Sequence, residues 1–103
     1  MKAAVLHEVN QPLQMEEIDV ALPGPREVLV RTRASGVCHS DLHFVEGLYA
    51  TVFPVVLGHE AAGTVEAVGS QVDYVSPGDR VICCLSVFCD QCERCTTGRP
   101  VLC

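Results

Sequence analysis

Four cysteines near the C-terminus constrain this chain more than any other feature. They are spaced C-x2-C-x2-C-x7-C, at Cys89, Cys92, Cys95 and Cys103. Tetrahedral zinc with Zn–S bonds of about 2.3 Å holds its sulfur ligands about 3.8 Å apart, and a two-residue gap lets the chain turn back toward one point. Because four thiolates fill the coordination shell, the spacing predicts a structural zinc site. We call residues 89–103 the zinc lobe.

Other uses of these cysteines are weaker. Iron–sulfur proteins use the run C-x2-C-x2-C-x3-C-P, and the gap of seven before the fourth thiol argues against that pattern. Disulfides fit poorly with seven cysteines and no visible secretory leader. The remaining pair near the lobe, Cys83 and Cys84, lies in the apolar run 80–85. We expect these two to be small buried residues of a strand.

Size and charge limit the function classes. A chain of 103 residues is one domain or part of one. Thirteen acidic residues against seven basic ones give a net charge of −6, which argues against a nucleic-acid partner. The apolar N-terminal stretch, residues 1–6, is too short for a signal sequence or a membrane span. We therefore expect a soluble cytoplasmic protein with reduced thiols and no membrane partner.

Short apolar runs separated by turn residues predict a mainly β fold. The runs cover residues 2–8, 13–20, 27–34, 60–68 and 79–85. A short helix is expected over residues 40–46, with Ser40 or Asp41 as its cap. This pattern is typical of a barrel or a sandwich. No G-x-G-x-x-G fingerprint occurs in the 103 residues, so they contain no dinucleotide-binding motif.

A second group of polar residues carries a family resemblance. The segments are Cys38-His-Ser-Asp41 and Gly58-His-Glu60, and each alone is a weak signal. Together with Gly63, Gly69 and Val72, the second segment resembles the signature of zinc-dependent medium-chain alcohol dehydrogenases. The first segment, the turn 77–80 and the zinc lobe occur in the same order and at similar distances in that family.

The resemblance implies a catalytic zinc site beside the structural one. Such a site keeps three protein ligands and one open position, and alcohol dehydrogenase is a known Cys2His example. Cys38 and His59 match two of the ligands, and Glu60 matches an acidic residue close to the metal; it is otherwise a surface carboxylate. Zinc would acidify a bound alcohol, whose alkoxide passes a hydride to NAD or NADP.

The same resemblance implies roles for four further residues. Ser40 and His43 would relay the alcohol proton to water. Asp41 would hold the second ring nitrogen of His59, and His39 would face the cofactor pyrophosphate. The residues alone also allow simpler readings, in which Ser40 is a helix cap and His43 an exposed polar side chain.

The resemblance further implies a domain organisation. Residues 1–103 correspond to the N-terminal part of a GroES-like catalytic domain, a truncated, mainly β, partly open barrel (α+β in some schemes) with its zinc lobe. The third catalytic ligand and the Rossmann domain lie outside these residues. The leading hypothesis is therefore a segment of a zinc-dependent dehydrogenase that acts on small alcohols or aldehydes. A homo-oligomer is compatible with this hypothesis. By itself the segment is expected to be inactive, because hydride transfer needs an aligned cofactor.

Two other hypotheses remain at this point. The first is a zinc-stabilised structural or interaction module whose fold persists without catalysis. The second is an electron-transfer protein with an iron–sulfur cluster. In the first of these, and in the leading hypothesis, stability depends strongly on zinc.

Overall fold

Two antiparallel three-stranded sheets form the framework of the chain. The computed structural model describes all 103 residues. The strands are β1 (Lys2–Leu6), β2 (Gln14–Glu17), β3 (Val28–Ser35), β4 (Val55–Val56), β5 (Ala61–Val68) and β6 (Arg80–Ile82). Helices α1 (His39–Val45) and α2 (Glu93–Thr96) and a 3₁₀ turn (Pro100–Leu102) complete the structure. The sheets do not close, so the mainly β, partly open architecture expected from the sequence is confirmed.

The first sheet contains most of the core. Its strand order is β2-β1-β4, and β1 lies in the centre. From this strand Ala3, Val5 and Leu6 are buried, and Leu6 is completely enclosed. Val5 pairs with Gln14 on one side and with Val56 on the other. The two-residue strand β4 is too short to give a periodic signal, and the sequence did not predict it.

The second sheet brings together the two polar segments at Cys38 and at His59. Its order is β3-β5-β6, and the β3–β5 register runs from Val28 opposite Val68 to Ser35 opposite Ala61. Because this pair is antiparallel, the segment that follows β3 lies beside the segment that precedes β5. One more hydrogen bond, from the Gly36 amide to the Glu60 carbonyl at 3.1 Å, extends the contact past the strand ends.

Close packing between β3 and β5 depends on one glycine. A Cβ at Gly63 would lie 2.3 Å from the carbonyl oxygen of Arg31 and 2.8 Å from Val30 Cγ1. No side chain fits at those distances. The strand pair that brings the two polar segments together therefore requires glycine at this position.

The core is small for a chain of this mass. Only five of the 103 residues are buried, and Val65 is the one apolar side chain among them outside β1. The accessible surface is 7768 Å², whereas a compact monomer of 11.1 kDa exposes about 5,700 Å². The radius of gyration is 15.4 Å, against about 13 Å for a compact domain of this length. These residues therefore leave much apolar surface uncovered.

Cys83 and Cys84 correct one expectation. Strand β6 ends at Ile82, and both thiols are exposed rather than buried in a strand. The last ladder contact of this segment is the hydrogen bond from the Cys83 amide to the Ala61 carbonyl, 2.8 Å long. Strand β5 begins at Ala61, so no partner backbone remains for the residues that follow Cys83.

Helix α1 begins one residue earlier than expected. Its N-cap is Cys38, so the prediction of Ser40 or Asp41 as the N-cap residue was wrong. Asp41 still contributes to the helix start, since the Cys38 amide donates to its Oδ2 at 3.2 Å. None of the helices has the length and apolar character needed to cross a bilayer.

Candidate metal centres

The zinc lobe gathers four sulfur atoms. The ligand atoms of Cys89, Cys92, Cys95 and Cys103 all lie within 4.8 Å of one another. The Cys89–Cys95 and Cys92–Cys95 sulfur separations are 3.9 and 3.5 Å. These values bracket the separation of about 3.8 Å in a tetrahedral zinc site. Disulfide sulfurs are about 2.05 Å apart, and all seven cysteines are free.

Two kinds of local structure produce this cluster. In the first gap, Asp90 takes a left-handed conformation with φ of 61°, and the Cys92 amide donates to the Cys89 sulfur at 3.4 Å. In the second gap, the single turn of α2 places Cys92 and Cys95 three residues apart on one side. The sequence predicted turns in both gaps, and the second is helical.

Protonation differs within the lobe. Backbone amides of Gln91 and Cys92 donate to the Cys89 sulfur and lower the pKa of that thiol to about 6. Burial, with a hydrogen bond to the Cys92 thiol, raises the pKa of Cys95 to about 11. At neutral pH and without metal, Cys89 is therefore mainly a thiolate and Cys95 is a protonated thiol.

A second cluster forms where β3 and β5 leave the sheet. The ligand atoms of Cys38, His59 and Glu60 lie within 4.8 Å of one another. We call these three residues the open site. Cys38 caps α1 directly after β3, and the other two residues come directly before β5. Cys38 and His59 are half-buried, while Glu60 is exposed. Thiolate, imidazole and carboxylate are all ligands that zinc accepts.

Two side chains of α1 brace the open site. Ser40 Oγ lies 3.2 Å from Cys38 Sγ and 3.4 Å from His59 Nε2. Asp41 Oδ1 lies 3.3 Å from His59 Nδ1, and its Oδ2 accepts the Cys38 amide hydrogen. Asp41 thus lies against Nδ1 of His59, and its role of holding a ligand histidine, implied by the resemblance, stays a prediction. Ser40 contacts the candidate metal ligands Cys38 and His59 and does not cap the helix.

The hydrogen bonds of the open site favour charged donors. The Ser40 hydroxyl, followed by the Ser40 amide and His59, lowers the pKa of the Cys38 thiol. The hydrogen bond with Cys38 raises the pKa of His59, and the nearby Asp41 carboxylate adds to that effect. Both shifts stabilise the charged form of the side chain relative to the neutral form, and a bound cation would compete with the proton of His59.

Two more histidines lie on the same helix. The rings of His39 and His43 meet edge to face with centroids 4.9 Å apart, and the rings of His43 and Tyr49 also meet edge to face, with centroids 5.0 Å apart. His39 is exposed, whereas His43 Nδ1 is buried and lacks a hydrogen-bond partner. Neither ring hydrogen-bonds to the three donor residues. The structure thus brings Ser40 and Asp41 to the open site and leaves His39 and His43 beside it.

Sequence reasoning missed Gly36. This residue lies between β3 and Cys38, and its backbone contacts the Glu60 side chain. The only sequence signal is a glycine two residues before a candidate ligand, which by itself has many explanations.

The chain is similar to known alcohol dehydrogenases. Residues 24–103 match the model of the alcohol dehydrogenase GroES-like domain. The chain is 46% identical over 102 residues to the NDMA-dependent alcohol dehydrogenase of Amycolatopsis methanolica, covering 99% of this chain and 28% of that protein. It is 50% identical over 103 residues to the S-(hydroxymethyl)glutathione dehydrogenase of Haemophilus influenzae, covering 99% and 27%.

Solved structures give the same result. An alcohol dehydrogenase zinc-binding domain protein from Burkholderia ambifaria superposes with a TM-score of 0.93 at 39% identity, covering 99% of this chain and 27% of that one. Alcohol dehydrogenase TADH from Thermus sp. ATN1 gives 0.88 at 35% identity, covering 100% and 30%. The chain spans less than a third of the length of these relatives. It belongs to the zinc-type medium-chain alcohol dehydrogenase family, within the GroES-like domain.

Proposed function

We propose that residues 1–103 form the N-terminal part of the catalytic domain of a zinc-dependent, NAD(P)-linked alcohol dehydrogenase. One observation carries the proposal: a closed cluster of four sulfurs and an open cluster of three mixed donors occur in one fold. A closed sulfur shell suits a structural zinc, and an incomplete mixed shell suits a catalytic one. The lobe, residues 89–103, would therefore bind a structural zinc that stabilises the fold, and the open site would bind the catalytic zinc.

The residues around the open site fit a catalytic zinc. When bound there, zinc lowers the pKa of a coordinated alcohol or water and stabilises negative charge on its oxygen. Asp41 faces His59 Nδ1, so it would hold the proton on that nitrogen and leave Nε2 as the donor atom. It also holds the Cys38 amide and thereby fixes both donors relative to each other.

Ser40 and His43 are the proposed path for the proton. The Ser40 hydroxyl can accept and donate, and it already lies between Cys38 and His59. His43 follows three residues later on α1, a spacing that places two side chains on one helix face. An imidazole has one nitrogen that can accept a proton and one that can donate it, so His43 could pass the proton onward to water. His39, exposed on the first turn of α1, is the proposed contact for the cofactor.

The cofactor and substrate follow from the relatives. Solved relatives include an NAD-dependent alcohol dehydrogenase and a zinc-binding dehydrogenase bound to NADP. We extend to this chain a nicotinamide cofactor and a small alcohol or aldehyde as substrate. Hydride transfer requires the nicotinamide to be aligned with the substrate. We therefore expect no dehydrogenase activity from these 103 residues alone. Free thiols at both sites suit a reducing compartment such as the cytoplasm.

An interaction module without catalysis explains less of the structure. Such a module would need the zinc lobe for stability. It would have no use for the open site, nor for an aspartate that faces one of its donors. The arrangement of Asp41, Cys38 and His59 therefore favours the enzyme.

A chimera tests this proposal. Residues 1–103 would replace the matching segment of the Moraxella sp. alcohol dehydrogenase, to which the chain is 48% identical over 106 residues. We expect alcohol-dependent reduction of NAD⁺ or NADP⁺ by the chimera and none by the isolated chain. Cys38→Ser should abolish turnover, and Cys83→Ser, an exposed thiol outside both sites, should preserve it. A folded, zinc-loaded chimera whose activity survives Cys38→Ser would refute the catalytic role.

A further inference from the structure

The backbone at Gly36 packs directly against the side chain of Glu60. A Cβ at Gly36 would lie 1.9 Å from Glu60 Oε2, 3.0 Å from its Cδ and 3.1 Å from its Cβ. All three of these nearest atoms belong to the same side chain. Non-bonded carbon atoms prefer separations of about 3.5–4.0 Å, so a side chain at Gly36 and the present position of the carboxylate are incompatible.

Space, rather than backbone conformation, accounts for this glycine. Gly58, also next to the open site, has φ of 125°, a region that favours glycine, and a Cβ there would meet no atom within 4 Å. Gly36 is the opposite case, because its φ lies outside the left-handed region and its Cβ would be blocked. The Gly36 amide also donates to the Glu60 carbonyl at 3.1 Å, which holds the two residues together.

We infer that Gly36 is a positioning residue that keeps the Glu60 carboxylate within reach of Cys38 and His59. The inference rests on the proposed function, since it concerns the metal donors of the same site. The carboxylate is the far end of a flexible side chain, so rotation of that side chain would clear Oε2 and Cδ, and a small backbone shift would relieve the remaining 3.1 Å contact with Glu60 Cβ. The rotation would remove one of the three donors while the sheet and the lobe remain intact.

Cobalt binding to the full 103-residue chain tests the inference. One equivalent of zinc first fills the lobe, and Co²⁺ is then titrated while the thiolate charge-transfer and d–d absorption bands are recorded. We expect Gly36→Ala to weaken cobalt binding about 10- to 100-fold, as loss of a supporting contact at a metal site typically does. Glu60→Gln should weaken it at least as much. The double variant should bind no more weakly than Glu60→Gln, because both changes remove the same donor.

Gly24 provides a matched control. A Cβ there would lie 3.2 Å from Glu27 Oε2, a milder contact with a glutamate side chain outside both metal sites. Gly24→Ala should therefore bind cobalt as the unsubstituted chain does. The melting temperature of each zinc-loaded variant and the zinc content of its lobe show whether the fold is retained.

The outcomes separate the inference from the proposed function. Normal cobalt binding by Gly36→Ala, with weakened binding by Glu60→Gln, overturns the inference alone. Normal binding by Glu60→Gln also overturns it, because Glu60 is then no donor. A chain that shows no cobalt–thiolate band beyond the lobe argues against the open site itself. If Gly36→Ala does not fold, Gly36→Ala/Glu60→Ala decides: folding like Glu60→Ala supports the clash with the carboxylate, and failure to fold overturns the inference.

Discussion

The zinc lobe and the open site both bring candidate metal ligands within 4.8 Å of one another, but by different routes. All four sulfurs of the lobe come from residues 89–103, and one turn, one helical turn and a 3₁₀ turn are enough to gather them. The donors of the open site come from two segments, at Cys38 and at His59–Glu60, that meet because β3 pairs with β5. The lobe is therefore encoded in local spacing, and the open site is encoded in sheet topology.

The surroundings of the two clusters differ as well. In the lobe, backbone amides and thiols are the neighbours of the sulfurs. In the open site, the side chains of Ser40 and Asp41 contact the donors. A shell of thiolates surrounded by amides suits permanent binding, whereas exchangeable hydroxyl and carboxyl groups suit a site that handles protons. Changes in the lobe should therefore leave the open site unaffected.

Removal of one lobe thiol should give the largest effect. Structural zinc binding in peptides is worth about 10–16 kcal/mol, so loss of one of four ligands removes roughly 3–4 kcal/mol, or about 100- to 1,000-fold in affinity. We expect Cys103→Ser to weaken lobe zinc by that factor in a competition titration with a chelator.

Cys83→Ser is the matched control for that variant, since both thiols are exposed. It should bind lobe zinc as the unsubstituted chain does. Cobalt binding at the open site should be unchanged in both variants. Equal zinc affinities of the Cys103→Ser and Cys83→Ser lobes would contradict the closed four-sulfur shell.

The second prediction concerns thiol reactivity in the metal-free lobe. With pKa values of about 6 for Cys89 and about 11 for Cys95, the thiolate fractions at pH 7 differ by roughly 9,000-fold. The lower intrinsic nucleophilicity of the more acidic thiolate offsets about 200-fold of this. We expect iodoacetamide to modify Cys89 about 50-fold faster than Cys95, as measured by peptide mass spectrometry. Zinc should protect both, and equal rates without zinc would show that the amides do not activate Cys89.

The smallest effect is expected at Asp90. Its φ is 61°, and this left-handed conformation costs a non-glycine residue about 1–2 kcal/mol. Replacement by glycine removes that cost, but it also stabilises the unfolded chain by about 0.4–1 kcal/mol, because glycine gives the unfolded chain more conformational entropy. Asp90→Gly should therefore raise the free energy of unfolding of the zinc-loaded chain by about 0.5–1 kcal/mol in urea.

Asp19→Gly is the control for Asp90→Gly. Asp19 is exposed in a loop and is not in the left-handed region, so glycine there should lower the free energy of unfolding slightly. The same gain in both variants would show that the left-handed turn does not strain the lobe.

The contrast between the two sites also explains what the sequence could predict. The grouping of the lobe cysteines was predicted from spacing alone, because it depends on residues that are close in the chain, while their role as zinc ligands stays a prediction. The open site needed the resemblance to a family, since no local spacing links Cys38 with His59. The relation between Asp41 and His59 came from the same resemblance and agrees with the structure at 3.3 Å, while the roles of both residues in catalysis remain predictions.

The failures of the sequence analysis also concern partners that are distant in the chain. Cys83 and Cys84 were predicted to lie in a buried strand because they are apolar. The structure leaves them exposed, because β5 begins at Ala61 and offers no partner backbone beyond Cys83. Gly36 carries no local signal, since its requirement arises from Glu60, 24 positions later. In each case a contact across the sheet, rather than a pattern along the chain, decides the outcome.

The long separation between the halves of the open site has a consequence for the order of assembly. Closing the lobe fixes a short loop and is rapid, whereas pairing β3 with β5 brings together residues up to 40 positions apart, as for Val28 and Val68. The full 103-residue chain can thus bring the four lobe sulfurs together before the sheet exists. The open site has to wait for the β3–β5 pairing, so its formation reports that this sheet is complete.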